Sequence, residues 1–337
     1  MRRVVLTAAV AAVASMAFAG VASAAPYTLQ HYTAKINGSN KAGTSKKPKA
    51  ISVTLNPHHD VSLAGGPTNA AGQNTGAVLE APFATVLAYT WFPKEIKVDT
   101  SVVPGCDEKT ILNTPDKCPK GSEVGTSNPG GREANGKDKC EAAGTNDKGQ
   151  PTACTVYAAG LVRKKDLPEG AGTYLASGTT FPNGTVLAVR IFAMNKLANG
   201  KKAKDTLALR VVSPISGNVI IRAEFAKVSA AEKAQFDGAA RYATRTKFSI
   251  PTGLIEPVSG YMSQLTDFNA GLKAISKKGK PFFGLAGCPA SKKLDFGYNG
   301  QYNLGLDKSS SPKNAPENGG FSINSTGPIV SSEVPCT

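Results

Sequence analysis

The chain has 337 residues, 41% of them hydrophobic and 19% charged, with 35 glycines, 22 prolines and a formal net charge of +15. The apolar fraction allows a sizeable core in one large or two ordinary domains. The low charge and the many turn formers argue against a helical bundle and for an all-β domain with long loops.

Residues 1–24 read as an export signal. Arg2 and Arg3 supply the positive start, residues 4–21 an alanine-rich apolar stretch, and Ala22-Ser23-Ala24 a small-x-small cleavage site. A membrane anchor is disfavoured because the stretch ends in that site and is rich in alanine rather than leucine. The mature chain is then expected to begin at Ala25. Its charge falls by two, from +15 to +13, with the loss of Arg2 and Arg3. No later run is long and apolar enough to be a transmembrane segment.

Residues 25–50 are expected to form a flexible basic arm, and residues 51–337 a single domain. Residues 50–55 alternate with period two as a half-buried strand does, and Pro57 is expected to stop it. His58-His59-Asp60 would follow as a solvated loop. As metal ligands the two histidines are poorly placed, because adjacent side chains of an extended segment point to opposite faces. Residues 84–92 are a strong strand, broken by Pro93. Ile96 and Val98 should then face the core, with Glu95, Lys97 and Asp99 outward.

Residues 106–154 form a Cys-rich excursion. Six cysteines in an exported chain predict disulfides, and spacing suggests Cys106 with Cys118, Cys140 with Cys154, and Cys288 with Cys336. In the loop-entropy view the first two stabilise by roughly 3 kcal/mol each and the third by roughly 4. Zinc is the competing reading, but no pair has C-x-x-C spacing and all three histidines precede residue 60.

Strands are predicted over residues 152–163, 186–194, 206–212, 218–228 and 244–250, with Asn199-Gly200 as a hairpin turn. Ser229 and Glu232 form a capping box that opens one short helix ending near Gly238. Residues 268–275 and 281–285 flank a hairpin loop at Lys277-Lys278-Gly279-Lys280. Residues 292–304 alternate through Leu294, Phe296, Tyr298 and Tyr302. Residues 307–320 read as a mobile segment, and 329–334 as a last strand. Turn-separated strands without helix-length crossovers predict an antiparallel β-sandwich of jelly-roll type.

The run Cys106, Cys118-Pro119, Gly121-Ser122 and Val124-Gly125-Thr126 resembles a family of exported, β-rich actinobacterial proteins of uncharacterised function. So does Cys288-Pro289 with the aromatic strand and Gly-containing turn from Leu294-Asp295-Phe296 through Asn299-Gly300. The resemblance implies an extracellular location and a β-rich fold. It carries no catalytic residues and no cofactor.

The residues themselves point the same way. There is no G-x-S-x-G, and Ser122 reads as a turn residue. An even cysteine count leaves no thiol for a cysteine hydrolase. No dinucleotide fingerprint, P-loop or EF-hand is present. The lysines of residues 41–49 lack interleaved aromatics, which argues against nucleic acid as a partner. The positive balance would suit anionic envelope polymers, but the lysines are dispersed along the chain, and a solvated basic surface is the preferred reading. The preferred reading is a secreted, non-enzymatic structural or binding protein associated with the cell envelope. The alternative is a glycan-binding module, or a glycoside hydrolase using a carboxylate pair, with Trp91, Glu95 and Asp99 as contacts.

Overall fold

The structure, a computed structural model, describes residues 27–62, 84–126, 155–157, 162–163, 185–187, 189–213, 217–256, 261–262, 265–303, 320–323 and 325–337. Eleven strands carry the architecture: β1 (Tyr27–Asn37), β2 (Ser52–Ser62), β3 (Ala84–Phe92), β4 (Glu123–Thr126), β5 (Val189–Lys196), β6 (Lys202–Ser213), β7 (Gly217–Lys227), β8 (Thr244–Ser249), β9 (Ala270–Leu272), β10 (Lys293–Asn303) and β11 (Val330–Pro335). They form one sheet in the order β1-β2-β9-β4-β5-β6-β7-β8-β3-β10-β11, antiparallel at each of these pairings.

The sheet curls until its two edges meet. At the seam, Gln30 Nε2 donates to Pro328 O (3.1 Å), Ala34 N to Ser332 Oγ (2.9 Å) and Asn40 Nδ2 to Pro335 O (3.2 Å). Residue numbers rise together along these contacts, so β1 and β11 run parallel and are joined through side chains, with backbone bonds from Ala42 N to Thr337 O (2.7 Å) and from Thr337 N to Asn40 O (3.2 Å) just beyond them. The expected all-β, antiparallel, sandwich-like class is what the chain adopts. Its facing layers are halves of a single curled sheet.

The inward residues make one core. It includes Val53 and Leu55 of β2, Val86 and Ala88 of β3, Leu207, Leu209 and Val211 of β6, and Leu294, Phe296 and Tyr298 of β10. A small sheet plugs one end of it. Phe283–Leu285 lies between Lys49–Ala50 and Ile96–Val98, and Ile96, Phe283 and Leu285 are buried in the same core.

Two stretches of the outer face are also covered. Helix α1 (Glu108–Asn113) places Ile111 beside Cys106, Phe192, Met194 and Ala208. Helix α2 (Ala230–Gln235), with the turn after it, lays Phe236, Ala239 and Tyr242 over Tyr89 and Trp91. This double cover explains why β3 is apolar on both faces. The capping box of α2 is present: Ser229 Oγ accepts from Glu232 N, and the Glu232 carboxylate accepts from Ser229 N.

Several expectations need correction. Residues 27–37 are not an arm but strand β1, paired with β2 along its whole length. Pro57 does not stop β2. In a strand the N–H and C=O of one residue point to the same side, and Pro57 O accepts from Phe268 N at 3.0 Å. The missing N–H therefore faces the break between Leu265–Asp267 and β9, where no ladder bond is required. The loop expected at His58-His59-Asp60 is the continuation of the same strand. The segment between Cys106 and Cys118 is helical, with α1 followed by the 3-10 turn Pro115–Lys117. Asp107 caps α1 by accepting from Thr110 N (3.0 Å) and Thr110 Oγ1 (2.6 Å). Asn299-Gly300 makes no turn, because β10 runs straight through it.

The disulfides Cys106–Cys118 and Cys288–Cys336 are formed. Cys140 and Cys154 lie outside the described residues, as do residues 1–24 and 307–319. Among the described residues no helix is long and apolar enough to cross a membrane.

Candidate functional site

The residues named for glycan contact do not converge. Trp91 is fully buried under α2, stacked on Tyr89 with centroids 5.5 Å apart, and its Nε1 donates to Asn299 Oδ1 at 2.8 Å. It offers no face to a sugar. Asp99 is the cap of the 3-10 turn Thr100–Val102, accepting from Ser101 N (3.1 Å) and Ser101 Oγ (2.5 Å). Glu95 is half-exposed in the turn after Pro93, where Ile96 N donates to Pro93 O.

The histidine pair is similarly built into the fold. His59 is 1% exposed, and its Nε2 lies in hydrogen-bond contact with Tyr298 Oη at 2.8 Å. Tyr302 meets its ring edge-on and Tyr32 stacks on Tyr298. Burial pushes the Tyr32 and Tyr302 phenols well above their ordinary range, so both stay protonated. Beside this cluster, Leu55, Pro57, Thr85, Ala88, Phe248 and Tyr298 line an apolar cavity of about 30 Å³, room for little more than a water. Among the described residues no group of three or more His, Cys, Asp or Glu could hold a metal. Ser122 forms the expected turn, with its N–H donating to Pro119 O at 3.0 Å, but its side chain is buried.

What the fold does bring together is lysine. Ala50, Gly284 and Lys97 are opposite one another in the end sheet and so share its outer face. Gly284 has no room for a side chain, since a Cβ there would meet Pro281 and Pro48. Hairpin Ser276–Lys277 with Lys280–Pro281 abuts Lys49–Ala50 and presents Lys277, Lys278 and Lys280. Its tip takes positive φ at Lys278 (51°) and Gly279 (74°), the geometry that suits hairpin twist. The turn Thr44–Lys47, closed by hydrogen bonds between those residues, adds Lys46 and Lys47.

Lys46, Lys47, Lys49, Lys94, Lys97, Lys277, Lys278 and Lys280 are all exposed. The lysines that do pair with carboxylates among the described residues are Lys247, Lys273 and Lys293, which are elsewhere. Three stretches far apart in the chain thus build one basic end. Sequence reading saw each run alone and treated the first as an arm. The missing signal was the pairing of Lys49–Ala50 with Phe283–Leu285, a long-range contact.

A comparison of the chain with family profiles, with curated proteins and with solved structures finds no match in any of the three.

Proposed function

We propose that the protein is exported and works outside the cytosol as a non-catalytic binding protein, holding anionic envelope polymers on its lysine-bearing end. The observation that carries this reading is the meeting of residues 46–49, 94–97 and 277–280 at one end of the fold, exposed and without carboxylate partners among the described residues. Unneutralised like charges crowded together raise the local potential and attract polyanions. The leader-like residues 1–24 and the two disulfides support export. The resemblance of both Cys-Pro corners to exported actinobacterial proteins fits the same location.

The test is binding of the purified chain to a poly(glycerol phosphate) polymer and to an acidic polysaccharide across a salt series. Affinity for at least one should fall steadily with salt, and the triple change Lys277→Glu, Lys278→Glu, Lys280→Glu should abolish it while leaving the melting temperature in place. Binding that ignores both salt and the triple change overturns the reading. So does turnover of either polymer.

A further inference from the structure

A second site lies near the Arg222–Ser249 end of β7 and β8. Between α1 and the short helix α3 (Thr252–Ile255) there is a cleft of about 380 Å³, within the size range of small-molecule sites. Its lining includes Leu112, Val219, Ile220 and Pro251 as apolar surface, and Arg222, Asn218 and Thr252 as polar groups. Register places it near one end of the strands, since Arg222 pairs with Ser249, while Lys227 and Thr244 mark the other end.

The chemistry of the cleft is set by how Arg222 is held. Its Nε donates to Glu108 Oε1 (3.0 Å) and its Nη2 to Glu108 Oε2 (3.1 Å). Glu108 also accepts from Ala198 N at 2.6 Å and is 6% exposed. The carboxylate is therefore fully engaged and is not offered as a base. The guanidinium is not used up. It has five N–H donors, and Nη1 meets no acceptor among the described residues. Its side chain is 28% exposed. Glu108 thus fixes the plane of the guanidinium and leaves one edge of it free in the cleft. The Asn218 and Thr252 side chains, which line the same cleft, make no hydrogen bond to other described residues.

We infer that this cleft binds a small organic carboxylate. The carboxylate takes the free guanidinium edge, an apolar or amphipathic body lies against Leu112, Val219, Ile220 and Pro251, and Asn218 and Thr252 supply further hydrogen bonds. A planar fork suits a carboxylate better than a neutral hydroxyl does. The net positive charge of the chain favours arrival of an anion. Two sources share this chemistry, a peptide α-carboxylate and a sugar acid, and the choice of probes separates them.

The full chain is titrated with N-acetylleucine and with glucuronate, each against its neutral counterpart, N-acetylleucine amide and glucose, with binding followed by NMR. At least one acid should bind saturably and its neutral counterpart should not. Arg222→Lys keeps the charge facing Glu108 and loses the free edge, so it should weaken binding by about tenfold or more, the scale of a lost charge-assisted hydrogen bond. Asn218→Trp, at an exposed position, fills the mouth of the cleft without touching the ion pair. It should abolish binding at an unchanged melting temperature, which keeps the test decisive if Arg222→Lys folds poorly. Equal binding of acid and neutral probe, binding of none of them, or binding untouched by Asn218→Trp overturns the inference. The triple lysine change described above should leave this binding in place, so the two sites fail or stand separately.

Discussion

Trp91 is committed wholly to the fold, and so is its partner. The indole N–H meets Asn299 Oδ1, and both side chains are fully buried. Replacing Trp91 with Phe should leave Asn299 Oδ1 short of a donor and the Tyr89–Phe236–Tyr242 cluster underfilled. A loss of about 1–3 kcal/mol is expected from the orphaned polar atom alone, readable as a drop in the denaturant midpoint. The tyrosines of the interior separate by the same logic. Tyr302 Oη is buried with no partner among the described residues, whereas Tyr298 Oη meets His59. Tyr302→Phe should therefore be neutral or raise stability by about 1 kcal/mol, while Tyr298→Phe should lower it by a similar amount. Equal effects of the two would contradict the pairing. From sequence, Trp91 reads as a ligand contact because acids follow it closely. Its burial comes from Phe236 and Tyr242, much later in the chain, and no local pattern announces that cover.

The Cys106–Cys118 corner is held to the sheet by three arginines as much as by its disulfide. Arg222 grips Glu108 in the first turn of α1, Arg210 Nε donates to Leu112 O near its last turn (3.1 Å), and Arg190 reaches Asp116 (3.2 Å) and Glu123 (2.6 Å). Arg190 and Arg210 lie directly opposite each other on β5 and β6, and Arg222 lies opposite Ala208, so the row follows from register. The disulfide was legible from spacing, but α1 was not. Its signal, Asp107 followed by Thr110, is weak beside a loop-like composition. The capping box of α2 was legible because Ser229 and Glu232 satisfy each other locally, which needs no tertiary contact. Both caps give an acid-side prediction. The bonds from the Thr110 side chain and backbone hold Asp107 below its ordinary 3.8. For Glu232, burial acts upward, but the Ser229 N–H and Arg245 outweigh it and keep the carboxyl below 4.5. A lowered folded value contributes stability that is present above the unfolded value and lost as pH falls through the folded one. Amide exchange in α1 and α2 should thus accelerate as pH drops below the ordinary carboxylate range, after correction for the intrinsic rate. Ser229→Ala should cost about 1 kcal/mol and flatten the acid response of α2, leaving that of α1 unchanged.

Across the whole molecule, closure of the sheet is what the sequence conceals. Individual strands, the Asn199-Gly200 hairpin and the lysine hairpin were readable, because periodicity and turn chemistry are local. The seam of β1 against β11 rests on Gln30, Ala34 and Asn40 reaching Pro328, Ser332 and Pro335, which nothing in residues 25–50 foretells. Closure also has a measurable consequence, because it buries phenols that cannot ionise in place. Burial raises Tyr32 and Tyr302 well above 10.0, with neighbouring phenols adding to it; Tyr242, buried on the outer face by the α2 turn rather than by closure, is raised too, by burial and then by the Asp295 carboxylate. A group whose folded value lies above its unfolded one binds its proton more tightly when folded. Its contribution is complete below the unfolded value and is lost as pH rises towards the folded one. The melting temperature should therefore hold up to about pH 10 on this account and then fall, with the absorbance increment that Tyr302→Phe removes appearing together with unfolding rather than before it. Tyr302→Phe removes one such group and should make the alkaline fall shallower. Ionisation of that one buried phenol in a still-folded chain would show that the interior is open to hydroxide and that the seam does not close the sheet.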